Sequence, residues 1–247
     1  MKFYNDAIHQ AANKDDTESI SGLFKDSSNL TQIAIPPNIQ IIGDDCFYGC
    51  VSLIQVSIPS SVIEIGLYAF YNCSSLIKIS LPSSVKQIKS NAFFICSSLV
   101  KISLPSSITS IGSNSFNNCR SLTEIAIPFP VKSINNYTFY CCSSLTKVSL
   151  PLSVESIDNR AFSYCVSLEH ISIPHSIKSI DENAFDGSNV EEFKDKSHCN
   201  TTDEVGEEHG AFKDGAPLHV KDEHGGEKQC KRKLDHGAAH IVHTHQQ

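Results

Sequence analysis

The sequence predicts a repeat solenoid, because three residue types recur along it at one fixed interval. Proline recurs every 23 residues at seven positions, from Pro36 to Pro174. Cysteine keeps the same interval at six positions, from Cys50 to Cys165, and phenylalanine at seven, from Phe47 to Phe185. A constant period of about 20 to 50 residues is the signature of stacked repeats. We therefore expect residues 33–193 to form one array rather than several domains.

The first element of each repeat is predicted to be a short strand that ends at the proline. The segment Lys101-Ile102-Ser103-Leu104 alternates polar and apolar residues, which is typical of a half-buried strand. Because residues two apart share a face, Ile102 and Leu104 should point inward, and Lys101 and Ser103 outward. Pro105 has no N–H to donate, so the strand should end there.

The second half of each repeat is predicted to contain a sharp corner and a tight turn. The corner position is occupied in order by Gly43, Gly66, Lys89, Gly112, Asn135, Asp158 and Asp181. Because Gly, Asn and Asp tolerate a left-handed backbone, we expect that conformation there. The A-F-x-x-C segment that follows is too short for a full helix and should form a helical turn or a tight bend. In repeat five Phe129-Pro130 replaces the usual Ser-Ser, which should disturb only that corner.

The complete repeat resembles a known family. Its pattern, L-x-x-I-x-I-P-x-x-V-x-x-I-G-x-x-A-F-x-x-C, is similar to that of the BspA-like leucine-rich repeats over Leu30 to about Phe193. The resemblance implies a leucine-rich repeat horseshoe, mostly β, with a parallel sheet on its concave side. Short helical turns and extended segments would lie on the convex side. Residues 1–32 would then be an N-terminal segment with a partial capping repeat, and 33–193 the solenoid of seven 23-residue repeats plus a closing strand.

The cysteine column is predicted to consist of free thiols. One cysteine in each coil places neighbouring thiols about 4.8 Å apart, whereas a disulfide needs sulfur atoms about 2 Å apart. We expect the thiols to act as small buried hydrophobic groups in a reducing compartment. Cys46 and Cys141 lie outside the column and could pair only with local distortion, so their oxidation state stays open. The phenylalanine column is expected to form the core.

The outward face of the strands is the predicted partner-binding surface. Its candidate residues are Gln55, Lys78, Lys101, Ser103, Glu124, Lys147 and His170. Such a face could bind a protein, or it could be a solvated sheet face with binding elsewhere. The predicted face lacks the exposed aromatic residues that often mark interface hot spots.

Composition narrows the partner classes. The net charge of -7 gives no basic footprint for nucleic acid. The N-terminal stretch has no apolar signal region, and the chain has no run of about 18 apolar residues, so we expect neither membrane insertion nor export by a signal peptide. These observations predict a cytoplasmic monomer. A cell-surface location by unconventional export is the alternative.

The C-terminal tail, residues 194–247, is charged, rich in histidine and predicted to be disordered. Its basic run at 228–233 could address the nucleus or an acidic partner, or be simply solvated. The low-ranking metal candidates His236, His240, His243 and His245 match no structural zinc spacing. Weak opportunistic metal binding is the expectation there.

No catalytic site is predicted. The repeat provides no nucleophile beside a base and no phosphate-binding glycine loop, so neither an enzyme nor a cofactor is expected. The leading hypothesis is a protein-interaction scaffold that binds through its concave face. The alternatives are a cell-surface BspA-like antigen or adhesin, and metal binding by the tail.

Overall fold

A single 23-residue coil cannot be stable alone. Ordering its backbone costs about 1 to 2 kcal/mol per residue, which its few aliphatic side chains cannot offset while two apolar faces stay open. The computed structural model shows these coils stacked. It describes residues 19–190 and, as short strands, 192–193, 219–221 and 227–229. These residues form strands and turns without a helix, and hence contain no helix that could cross a membrane.

One strand of each coil belongs to a first ladder of parallel strands, which the family resemblance assigns to the concave side. Its strands are β2 (Gln32–Ala34), β4 (Gln55–Ser57), β6 (Lys78–Ser80), β8 (Lys101–Ser103), β10 (Glu124–Ala126), β12 (Lys147–Ser149), β14 (His170–Ile171) and β16 (Glu192–Phe193). They hydrogen-bond in parallel pairs, and successive pairs lie side by side. The register advances by one 23-residue repeat, so that Lys101 lies opposite Lys78.

A second parallel ladder is formed by two-residue strands later in each coil. These are β1 (Ser19–Ile20), β3 (Ile41–Ile42), β5 (Glu64–Ile65), β7 (Gln87–Ile88), β9 (Ser110–Ile111), β11 (Ser133–Ile134), β13 (Ser156–Ile157) and β15 (Ser179–Ile180). The ladder is continuous from β1 to β9 and from β11 to β15, with a break between them.

The break falls in the repeat that contains Phe129-Pro130, but at Asn135 rather than at the corner where a disturbance was expected. In the preceding coil, the backbone N–H of Gly112 donates to the Ile88 carbonyl at 2.8 Å. At the break, the Ile111 carbonyl instead accepts a 2.6 Å hydrogen bond from Nδ2 of Asn135. A side-chain amide thus satisfies a carbonyl that a backbone amide satisfies elsewhere.

Of the two forms expected for the A-F-x-x-C segment, a helical turn or a tight bend, the structure shows a run of tight turns. The N–H groups of Tyr68, Phe70 and Asn72 donate to carbonyls of the next coil, while those of Ala69, Tyr71 and Cys73 donate three residues back. Tyr68 and Asn72 both have a φ of 54°, in the left-handed region. A right-handed helix cannot include such residues at this spacing, so these amides link coils instead.

The glycine column has a different cause from the one predicted. The left-handed residues lie two and six positions after it, as at Tyr68 and Asn72 after Gly66, and Gly66 itself has no positive φ. A Cβ added to Gly66 would lie 2.6 Å from the carbonyl carbon of Gly43. Glycine is required there because the backbones of two coils approach closely.

The core consists of columns that run through the stack. Phe24 and the seven phenylalanines of the repeats form one continuous stack, with neighbouring ring centroids 5.1–5.5 Å apart. The column cysteines are free and buried, as predicted. Cys46 is also free and buried, and Cys141 is free and half-buried. No disulfide joins these eight cysteines, and the remaining two lie outside the described residues.

The two ends of the solenoid carry additional strands. At the N-terminal end β1, which lies within the predicted capping segment 1–32, pairs with β3 of the first complete repeat. At the C-terminal end β16 pairs in parallel with β14. Two further strands, β17 (His219–Lys221) and β18 (Glu227–Gln229), extend this sheet beyond β16 as an antiparallel pair. The rest of the tail predicted to be disordered lies outside the described residues.

Candidate functional site

The first ladder has the alternation that its sequence predicts. In each of its three-residue strands the middle side chain is buried and the two flanking side chains are exposed. All the predicted site residues are exposed on this face: Gln55, Lys78, Lys101, Ser103, Glu124, Lys147 and His170. The stacking of coils brings them together as neighbouring rows on adjacent strands. The inward-pointing Leu104 is only half-buried.

The charges on this face are coupled. Nζ of Lys101 donates a 2.8 Å hydrogen bond to Oε1 of Glu124 on the next strand. This hydrogen bond, with the positive charges of Lys101 and Lys147, holds the pKa of the Glu124 carboxyl below its usual value. Both partners are well exposed, so solvent screens the pair and its contribution to stability is small.

A depression lies on the face where these charges meet. It has a volume of about 260 Å³ and is lined by Lys101, Ile102, Ser103, Leu104, Glu124, Ile125, Ala126, Lys147 and Ser149. The lining combines the buried Ile102 and Ile125 and the half-buried Leu104 with exposed polar and charged side chains. A depression that combines apolar lining with a few polar groups is a common form of binding site.

Sequence reasoning missed the apolar side chains on the two sides of this face. On the side where the strands begin, Ile54, Ile77 and Val100 are exposed on three successive coils. On the side where they end, Phe129 is 68% exposed and Leu152 is 58% exposed. For Phe129 the sequence carries a signal, since three other repeats have serine at its position, but that departure predicts only a local disturbance.

The described residues offer little reactive chemistry. Within them, no group of three or more His, Cys, Asp or Glu side chains is placed to hold a metal ion. The metal candidates His236, His240, His243 and His245 lie outside the described part of the chain. Burial raises the pKa of the Cys50 and Cys165 thiols to about 12. At neutral pH these thiols are therefore protonated and are weak nucleophiles.

A family model for the BspA-type leucine-rich repeat region matches residues 18–136 and 132–206, with six copies of the repeat. No curated protein sequence matches the chain.

Solved structures share the fold. A leucine-rich repeat protein of T. pallidum is 30% identical, with a TM-score of 0.58 over 61% of this chain and 71% of that one. A leucine-rich repeat protein of Bacteroides ovatus is 27% identical, with a TM-score of 0.57 over 72% of this chain. The chain aligns with only 53% of the Bacteroides protein.

Proposed function

The chain belongs to the BspA-type leucine-rich repeat family, and on that premise we propose that it is a non-enzymatic scaffold that binds a partner protein through the face of its first ladder. The observation that carries the proposal is the depression at Lys101, Glu124 and Lys147, set among rows of exposed polar side chains. Repeat proteins use extended surfaces of this kind for binding.

The rigidity of the face supports the same proposal. The exposed side chains of each strand alternate with buried ones, for example Ile102 and Ile125, which anchor the strand to the core. The partner would therefore meet side chains whose backbone is already ordered, which lowers the entropic cost of binding. The absence of a nucleophile beside a base among the described residues of this face supports a binding role rather than catalysis.

The test is affinity capture from native lysate with the full-length chain and two variants. The face variant is Lys78→Glu, Lys101→Glu and Lys147→Glu. The charge-matched control reverses three exposed lysines that directly precede strands of the second ladder: Lys86→Glu, Lys132→Glu and Lys178→Glu. Circular dichroism and urea denaturation establish that both variants fold, and mass spectrometry identifies the captured proteins.

We expect the wild type and the control to capture the same proteins and the face variant to lose them. Capture that survives in the face variant, or that both variants lose equally, would contradict the assignment to this face. The identity of the captured proteins also indicates whether the protein acts in the cytosol or at the cell surface. Cytosolic partners would support the predicted cytoplasmic scaffold, and extracellular or matrix proteins would support a cell-surface role.

A further inference from the structure

Two neighbouring corners of the solenoid expose large apolar side chains where the repeat normally has a small polar one. The corner position after each proline holds, in order, Pro37, Ser60, Ser83, Ser106, Phe129, Leu152 and His175. Phe129 and Leu152, which we call the corner patch, are the two most exposed of the large hydrophobic side chains among the described residues. Neither side chain is needed to build a corner, since serine suffices in three coils.

The two residues of the corner patch lie on adjacent coils. Ala126 and Ser149 are register partners in the first ladder, and the corners that follow them close with equivalent hydrogen bonds of 3.1 Å, Val131 to Pro128 and Val154 to Pro151. Phe129 and Leu152 therefore occupy equivalent positions one coil apart, about 4.8 Å at strand spacing. Single exposed apolar residues are ordinary, but adjacent ones beside a concave surface are typical of interaction sites.

The corner patch also lies next to the depression of the first ladder. Ala126 and Ser149 line the depression, and Phe129 and Leu152 follow them by three residues. Three residues span at most about 11 Å of extended chain. One short peptide segment can thus contact the depression and the corner patch together.

The charges of the depression indicate what such a segment carries. Lys101 is paired with Glu124, whereas Lys147 has no carboxylate within ion-pair distance among the described residues. Lys147 is therefore the cation on this part of the face that is available to a partner. Its complement is a carboxylate, and the complement of the corner patch is a large apolar side chain.

From these positions and charges we infer that the corner patch and Lys147 together recognise a partner-protein segment that carries a large apolar side chain close in sequence to a carboxylate. The inference rests on the proposed binding function of the first-ladder face and specifies its partner. Phe129 would supply the aromatic anchor that the face otherwise lacks.

The test uses short random peptides displayed on phage and selected on the immobilised full-length protein. The dissociation constants of the recovered peptides are then measured by fluorescence anisotropy.

The patch variant is Phe129→Ser with Leu152→Ser, which installs the residue that other coils carry. The matched control, Ile77→Thr with Val100→Thr, removes two exposed apolar residues from the other side of the same face, and other coils carry threonine there. Lys147→Gln removes the unpaired charge.

We expect the selected peptides to combine large apolar and acidic residues. Their affinity should fall about tenfold or more in the patch variant, fall a few-fold in Lys147→Gln in a salt-dependent manner, and stay unchanged in the control.

The inference would be overturned if no peptides were recovered, or if the control lost as much affinity as the patch variant. It would also be overturned if binding depended on only the corner patch or only Lys147. Peptides that need Lys147 but not the corner patch would overturn it while leaving the proposed function intact. Peptides that need neither would count against both.

Discussion

The thiol of Cys96 donates a 3.1 Å hydrogen bond to the backbone carbonyl of Phe70, in the coil before its own. The same carbonyl accepts a second hydrogen bond from the backbone N–H of Cys73. Equivalent thiol bonds of 3.0–3.2 Å are made by Cys50, Cys73, Cys119, Cys142 and Cys165. The cysteine column is therefore part of the apolar core and also a line of hydrogen bonds between coils, which we call the seam.

Burial of this seam predicts a loss of stability at alkaline pH. Burial raises the pKa of the Cys165 thiol to about 12, against about 8.5 in an unfolded chain. Between these values the native state keeps a proton that the unfolded state has lost, so the free energy of unfolding falls as pH rises. We expect urea midpoints to decrease across this window, and to decrease less steeply in Cys165→Ala. Equal pH dependence of the two proteins would contradict the prediction.

Alkylation of the native protein with iodoacetamide provides an independent check on the thiols. Cys96 is fully buried and Cys141 is half-buried, and both are free. We expect Cys141 to react directly and Cys96 only after unfolding, as measured by peptide mass spectrometry. Comparable native rates at the two sites would show that the seam opens readily.

The phenylalanine stack predicts a specific cost for losing one ring. The ring of Phe116 lies 5.4 Å from that of Phe93 and 5.5 Å from that of Phe139, with planes within 3° in both pairs. Each aromatic pair contributes about 0.5 to 1.5 kcal/mol beyond its burial. We expect Phe116→Leu to lower the free energy of unfolding by about 1 to 3 kcal/mol in urea denaturation.

The control makes the same substitution at an exposed ring. Phe129→Leu changes a side chain that is largely in solvent, so its effect should stay within about 0.5 kcal/mol. A change of that small size at Phe116 as well would mean that the stacked rings contribute little beyond their apolar volume.

Much of the fold was predictable because the same types of core residue recur every 23 residues. The Phe and Cys columns, the outward pairs such as Lys101 and Ser103, and the ends of the strands at proline all follow from the period and from alternation. The geometry at Phe129 did not follow. The departure from Ser-Ser is visible in the sequence, but the exposure of the ring depends on how the folded corner orients that side chain.

The backbone conformation of the turns was also beyond the sequence. We placed the left-handed residues at the glycine column, because glycine tolerates that conformation. The structure uses glycine for close approach between coils, and assigns left-handed φ values to such residues as Asp45, Tyr68 and Arg160. Asparagine, aspartate and glycine occupy most of the left-handed positions, but tyrosine, arginine, isoleucine and cysteine occupy the others, so residue type marks these positions only in part.

One of these left-handed positions predicts a stabilising substitution. Ile95 has a φ of 59°, whereas the equivalent residues of the neighbouring coils, Asn72 and Asn118, are asparagines with φ of 54° and 59°. A left-handed backbone costs an ordinary L-residue about 1 to 2 kcal/mol and is least tolerated by a β-branched side chain, while asparagine adopts it readily. We expect Ile95→Asn to raise the free energy of unfolding by about 1 kcal/mol, since Ile95 is only half-buried.

The reciprocal change, Asn72→Ile, should lower the free energy of unfolding by a similar amount, and urea denaturation measures both. If Ile95→Asn instead destabilises the protein, the apolar contacts of Ile95 outweigh the cost of its backbone conformation.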